Sequence, residues 1–300
     1  MLKIAYHSCY NHPVPDGHRF PMLKYDLIVE QLLYEGTITD QNIFTPSSIA
    51  DIDLYRTHDS FYIEKLNSLS LTPTEIRKTG FQLTDTLIRR EEIIMQGTID
   101  AALFAIENGI GMNVAGGTHH AFRDRGEGFC LYNDIAIAAD YLIANNLAKQ
   151  ILVIDLDVHQ GNGTAKIFEH RKDVFTFSMH GASNYPFFKE ASDLDIPLPD
   201  YIQDKEYLTL LNKSISRLFE DVKPDHVFYQ SGVDILATDK MGKLSISREG
   251  CKERDRVVLR NCKNTRIPLT ISLGGGYSEK LTDIVEAHCN TFRLAQELYF

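Results

Sequence analysis

Ile151-Leu-Val-Ile-Asp-Leu-Asp-Val-His159 is an apolar run that breaks into three evenly spaced polar residues, Asp155, Asp157 and His159. Side chains two apart on a strand point to the same face, so a strand through this run sets two carboxylates and an imidazole side by side where it surfaces. That grouping suits a metal ion. Asp and His also cap strand ends and open turns, so the run alone divides between a metal site and a plain strand end. Three further stretches weigh for the metal: Thr118-His-His120, Ser231-Gly-Val-Asp234 after another apolar run, and Ser272-Leu-Gly-Gly-Gly-Tyr277.

Working outward, β-rich apolar runs recur at 2–6, 111–115, 151–154, 174–178, 226–230 and 268–273. Between most of them lie stretches with apolar residues at helical spacing, among them 22–34, 87–108, 133–145, 204–221 and 247–260. Near-continuous apolar strands alternating with helices predict a mainly parallel sheet covered on both faces, a three-layer α/β/α sandwich. Ligands in such sheets bind beyond the carboxyl ends of the strands, and each polar constellation follows a predicted strand directly. Segments 116–131 and 180–201 lack a regular pattern and are expected to be loops shaping a pocket. With no repeat and no long Pro/Gly/Ser linker, residues 1–300 are expected to form a single catalytic domain.

Composition narrows the function. Against 41 acidic residues stand 31 basic ones, and the formal charge of −10 disfavours direct binding to nucleic acid, which requires a basic surface. No apolar run approaches the roughly 18 residues of a membrane span, and the N-terminus lacks the features of a signal peptide, so a cytoplasmic location is the expectation, without membrane association. The five cysteines are scattered and lack C-x-x-C spacing, which reads as reduced thiols.

Asp157, His159 and Asp234 form a ligand set that leaves room for water and substrate, and zinc is the first choice of metal among several that the set would accept. Two carboxylates neutralise a divalent ion formally, so a bound water is acidified less than at an all-histidine site and a separate base is needed. His119 and His120 can supply it, with Asp155 and Asn162 as candidate partners fixing the ring tautomer. The glycines before Tyr277 permit unusual backbone angles and close approach, and could present its hydroxyl to a carbonyl oxygen.

With these motifs in order, Gly116-Gly-Thr-His-His120, Gly128-Phe-Cys-Leu-Tyr-Asn-Asp134, Asp155-Leu-Asp-Val-His-Gln-Gly-Asn162, Ser178-Met-His180, Gly232-Val-Asp234 and Gly274-Gly-Gly-Tyr277, the chain resembles the zinc-dependent histone deacetylase family of the arginase/deacetylase fold. Asp157–Asn162, 231–236 and 242–247 are most similar to its class IV branch and bacterial relatives. The resemblance implies hydrolysis of an acetyl or longer acyl group from the ε-amine of lysine by metal-activated water. It makes His120 the general base and acid, His119 the electrostatic partner of Asp155, and Tyr277 the group that polarises the carbonyl. It also implies a tunnel for the lysine stem, lined by Gly128, Phe129 and Gly275 and by one of the aromatics Tyr185, Phe187 and Phe188. Arg19–Met22 is a candidate for the pocket floor. A potassium ion would be held by Asp155, Asp157, His159, Ser178 and Met179. Cys130 reads as a small packing residue near the metal. Where class I and II enzymes carry an aspartate this chain has Asn162, which orients His120 without stabilising its cation and predicts a less basic His120.

Rival readings remain. A binuclear manganese hydrolase of this fold needs further carboxylates where this chain has Gly161 and Leu236. An acetylpolyamine amidohydrolase shares the chemistry on a small cationic substrate. A catalytically silent acyl-lysine binding protein would not need the intact constellation. A redox iron enzyme would invert the ligand set to two histidines and one carboxylate.

Overall fold

Apolar runs of four to eight residues are the length of buried strands, and their continuity requires cover on both faces. The computed structural model describes residues 1–300, with strands β1 (Ile4–Ala5), β2 (Ile43–Phe44), β3 (Ile110–Asn113), β4 (Ile151–Asp155), β5 (Val174–Gly181), β6 (Leu194–Leu198), β7 (His226–Ser231) and β8 (Leu269–Leu273). They form one sheet, parallel throughout, in the order β2-β1-β3-β8-β7-β4-β5-β6. Its helices are α1 (Lys24–Tyr34), α2 (Asp51–Thr57), α3 (Ser60–Asn67), α4 (Pro73–Thr79), α5 (Asp85–Asn108), α6 (Asp134–Ala144), α7 (Asn162–Phe168), α8 (Asp204–Val222), α9 (Arg248–Thr265) and α10 (Leu281–Tyr299). One layer packs α2, α3 and α6 around α5; the other packs α1, α8, α9 and α10 together. The architecture is the three-layer sandwich that the alternation predicts.

The edge strands depart from the sequence reading. β2 has two residues, too few to carry a pattern. β6 corrects the expectation that 180–201 is loop throughout: β5 extends to Gly181, and Leu194–Leu198 pairs with it in parallel. Asp195 and Pro197 interrupt the apolar signal there, and proline is tolerated on such an edge because no further strand needs its missing N–H.

Helix ends follow local chemistry. α5 opens at Thr84, whose hydroxyl oxygen accepts the Leu87 N–H at 3.1 Å, and closes at Gly109 with φ of 87°. α6 opens at Asn133, whose side-chain oxygen accepts the Ala136 N–H at 3.0 Å. No helix is long and apolar enough to cross a membrane.

Because β8 and β7 insert between β3 and β4, the loops after these four strands open together at one edge of the sheet. This is the crevice in which open α/β sheets bind ligands.

Candidate metal centre and its cavity

β4 ends at Asp155, so Asp157 and His159 lie beyond the strand. The Asp155 carboxylate accepts the Asp157 N–H at 3.1 Å, Asp157 accepts the His159 N–H at 3.0 Å, and Asp234 accepts the Val158 N–H at 2.9 Å. Carboxylates thus take the place of a neighbouring strand, and the chain curls. This corrects the expectation that all three polar side chains share one strand face: Asp155 turns to His119, while Asp157 and His159 turn to Asp234. His159 Nδ1 lies 3.1 Å from Asp157 Oδ1 and 3.1 Å from Asp234 Oδ2. All three residues are buried, and their ligand atoms lie within 4.8 Å of one another.

The loop after β8 completes the floor. The Gly275 N–H donates to Asp157 Oδ2 at 2.7 Å, and a Cβ at Gly275 would stand 2.0 Å from Asp234 Oδ2. None of Gly274, Gly275 and Gly276 has a positive φ. Of the two reasons expected for glycine here, close approach holds and an unusual backbone angle does not. The Tyr277 N–H donates to Asp239 Oδ2 at 2.6 Å, and Asp239 Oδ1 accepts the N–H groups of Met241 and Gly242, each at 2.8 Å.

Two other groups escaped the sequence reading. Lys24, buried on α1, donates to the Gly274 carbonyl at 2.9 Å. Arg254, fully buried on α9, donates to the Gly232 carbonyl, to the Leu156 carbonyl at 3.2 Å and to Ser231 Oγ at 3.3 Å, with Asp255 as counter-ion at 2.8 Å. Leu156 precedes Asp157 and Gly232 stands two residues before Asp234, so one guanidinium ties both ligand-bearing loops from behind.

His119 and His120 reach the site from the loop after β3. Asp134 seats this loop, accepting from the Thr118 N–H at 2.9 Å and from the hydroxyls of Thr118 at 2.9 Å and Ser272 at 2.7 Å. His119 Nδ1 lies 2.6 Å from Asp155 Oδ2, and His120 Nδ1 lies 2.7 Å from Asn162 Oδ1. Their environments drive them apart. Burial disfavours the His119 cation, but the charges of Asp155 and Asp157 outweigh it and raise the group to about 9. Burial and the neighbouring His119 and His159 push His120 well below the ordinary imidazole value, and the Asn162 amide offsets little of this. The Tyr277 hydroxyl is pushed well above its ordinary value by burial and by Asp234 and Asp157, so it stays protonated.

These groups line a narrow inner cavity that also meets Gly128, Phe129, Cys130 and Gly275. Gly128 has φ of 54°, and a Cβ there would stand 2.6 Å from the His120 ring. Phe129 packs 5.5 Å from Phe20 and 6.1 Å from Tyr277. Of the Arg19–Met22 segment, Phe20 lines the cavity, whereas Met22 is core. Among the three candidate wall aromatics, Tyr185 stands edge-on to His120 at 4.9 Å and donates to Glu127 at 2.8 Å. Phe187 does not face the histidines: it is 90% exposed and packs on Phe188 at 5.1 Å. The Cys130 thiol is pushed far up by burial and donates to the Gly128 carbonyl at 3.4 Å, consistent with packing. Ser178 pairs with Asp155 in the β4–β5 register and has its Oγ 2.9 Å from His180 Nδ1, with Met179 next along β5.

The histone deacetylase domain family matches residues 18–292. An uncharacterized protein of Picosynechococcus sp. is 40% identical over 298 residues, covering 99% of both chains. Histone deacetylase 2 of Arabidopsis thaliana is 29% identical, over 95% of this chain and 76% of its own length. Among solved structures, that of an HDAC homologue complexed with SAHA superposes with a TM-score of 0.85 at 23% identity, covering 99% of this chain and 84% of that one, which establishes the arginase/deacetylase fold.

Proposed function

The chain belongs to the histone deacetylase family, and from that premise we propose that it is a zinc-dependent amidohydrolase that removes an acetyl or other acyl group from the ε-amine of lysine. The observation that carries the proposal is the convergence of Asp157, His159 and Asp234 beside His119 and His120, each paired through Nδ1, and a half-buried tyrosine. The donor set suits zinc. Asp157 is held through both oxygens, Oδ2 by the Gly275 N–H and Oδ1 by the His159 N–H, and Asp234 Oδ1 by the Val158 N–H, which fixes Asp157 Oδ1 and Asp234 Oδ2 each 3.1 Å from His159 Nδ1. Zinc held there would polarise the acyl carbonyl and make a water more acidic.

The remaining chemistry falls to the chain. His120, neutral near pH 7 because its pKa is depressed, takes the proton of the attacking water and returns it to the departing lysine amine. His119, held as a cation by Asp155, supplies positive charge beside it. The Tyr277 O–H donates to the carbonyl oxygen as negative charge develops there. Gly128, Phe129 and Tyr185 enclose the lysine stem, and Gly275 orients the Asp157 carboxylate. Asn162 holds the His120 tautomer. The Ser178 hydroxyl and the main-chain carbonyls at Asp155, Asp157, His159 and Met179 would offer neutral oxygens to a potassium ion. We assign this activity to residues 1–300 as one catalytic unit acting in the cytoplasm.

The test is hydrolysis by the zinc-loaded protein of an acetyl-lysine peptide beside acetylated polyamines. Peptide turnover should dominate, and Tyr277→Phe should lower kcat about 100- to 1,000-fold. Turnover confined to polyamines would overturn the lysine assignment, and an undiminished Tyr277→Phe enzyme would overturn the role of the hydroxyl.

A further inference from the structure

Apart from Asp157 and the histidines, the inner cavity sets one buried charge among apolar and aromatic side chains. Its outer opening is a wider mouth that shares His120, Gly128, Phe129, His159 and Tyr277 with it. Beyond that shared ring the lining continues to Tyr25, Arg90, Ile94 and Cys130, each at most 5% exposed. A substrate whose lysine stem comes in through the mouth and whose carbonyl sits at Tyr277 would direct its acyl chain into this inner lining, which includes these four residues.

Arg90 is the unusual member. Its Nε donates to the Tyr10 carbonyl at 2.8 Å, one terminal nitrogen donates to Glu91, and the guanidinium stands 5.4 Å from the Tyr25 ring centroid. Glu91 is 1% exposed, and its second carboxylate oxygen has no hydrogen-bond partner. An ion pair is thus built into the wall of the chamber that receives the acyl group, at the ordinary cost of desolvating two charges. An acetyl group brings only a single methyl into the chamber. A long alkyl chain would have to lie against the guanidinium or push it aside, and neither the Arg90 N–H groups nor Glu91 would gain a partner in exchange.

We propose that Arg90, positioned by Glu91 and Tyr10, is a specificity-determining residue that limits this enzyme to short acyl groups and rejects long apolar ones. The inference rests on the deacylase reading of the site and gives it the acyl class of its substrate. The experiment measures kcat/KM on lysine peptides carrying acetyl, butyryl, octanoyl and myristoyl groups, for the wild type and for an Arg90→Leu/Glu91→Leu double variant. Removing both charges avoids leaving Glu91 buried without its partner. The wild type should lose about 100-fold from acetyl to octanoyl, and the double variant should recover octanoyl turnover by about tenfold or more relative to acetyl. Arg90→Lys, which keeps the charge, should retain the short-chain preference and serves as the folded comparison. Octanoyl turnover within about tenfold of acetyl in the wild type, or an unchanged ratio in the folded double variant, would overturn the proposal. Calorimetric binding of the same peptides to Tyr277→Phe separates the two readings. If no lysine peptide is turned over, the deacylase reading fails, and tighter binding of octanoyl than acetyl peptide would overturn the role of Arg90 independently.

Discussion

At the inner end of the cavity Asp157, His159 and Asp234 are at most 6% exposed, and Gly275, Val158 and Arg254 hold their carboxylates or the backbone around them. At the mouth Phe187 and Phe188 are 90% and 83% exposed and pack edge-to-face on each other. Both ends are made of loops following parallel strands, so the difference is not one of secondary structure. Where the ligand carboxylates are held, backbone N–H groups engage both of them; at the mouth the two aromatic side chains stand largely in solvent. The inner end should accordingly respond to single-atom changes that the mouth would tolerate.

The largest effect is expected at the ligands: Asp157→Ala should abolish zinc retention and turnover, as measured by metal analysis and peptide hydrolysis, and a fully active variant would break the comparison outright. Next comes the buried guanidinium. Arg254→Met leaves Asp255 unpaired and should cost about 3–5 kcal/mol in urea unfolding, with zinc affinity falling about 10- to 100-fold because the ligand loops lose their anchor.

Acid stability sharpens the same contrast. Burial holds His58 at about 4 and His226 at about 3, both below the ordinary imidazole value. The unfolded chain binds protons at these histidines first as pH falls, so stability is intact above about 6.5 and declines below it. Each should contribute a loss of about 2 kcal/mol by pH 5, visible in unfolding curves recorded across that range. If stability were flat from pH 7 to 5, the buried frame would be looser than described.

A smaller shift is expected from Asn162→Asp. A carboxylate beside His120 favours its cation and raises its pKa, so the acidic limb of kcat/KM should move up by about one pH unit. An unmoved limb would dissociate His120 from the proton transfer. The smallest effect belongs to the mouth: Phe187→Ser should change stability by less than about 0.5 kcal/mol and leave hydrolysis of a short peptide nearly unchanged.

The sequence disclosed the inner end better than its supports. Four short apolar runs, each followed by polar residues, located Asp157, His159, Asp234, the two histidines and Tyr277, because chemistry of this kind demands particular residue types at strand ends. Arg254 and Lys24 lie in helices where a charged residue ordinarily faces water, and nothing in their spacing tells that these two point inward. Asp239 is one carboxylate among 41 acidic residues, recognisable only once Tyr277, Met241 and Gly242 donate to it. β6 was hidden by Pro197, and the exposure of Phe187 by an aromatic composition that reads equally well as wall or as surface. The strand alternation that first drew attention to Asp155 was itself interrupted, since the carboxylates fold the chain instead of extending it.

The most direct test of the metal centre is a zinc titration of the metal-stripped protein with acetyl-lysine hydrolysis followed at each addition. One equivalent bound per chain, with turnover rising in proportion and both lost in Asp234→Asn, is the predicted result. Full turnover in the presence of a strong chelator, or a requirement for two equivalents, would contradict it.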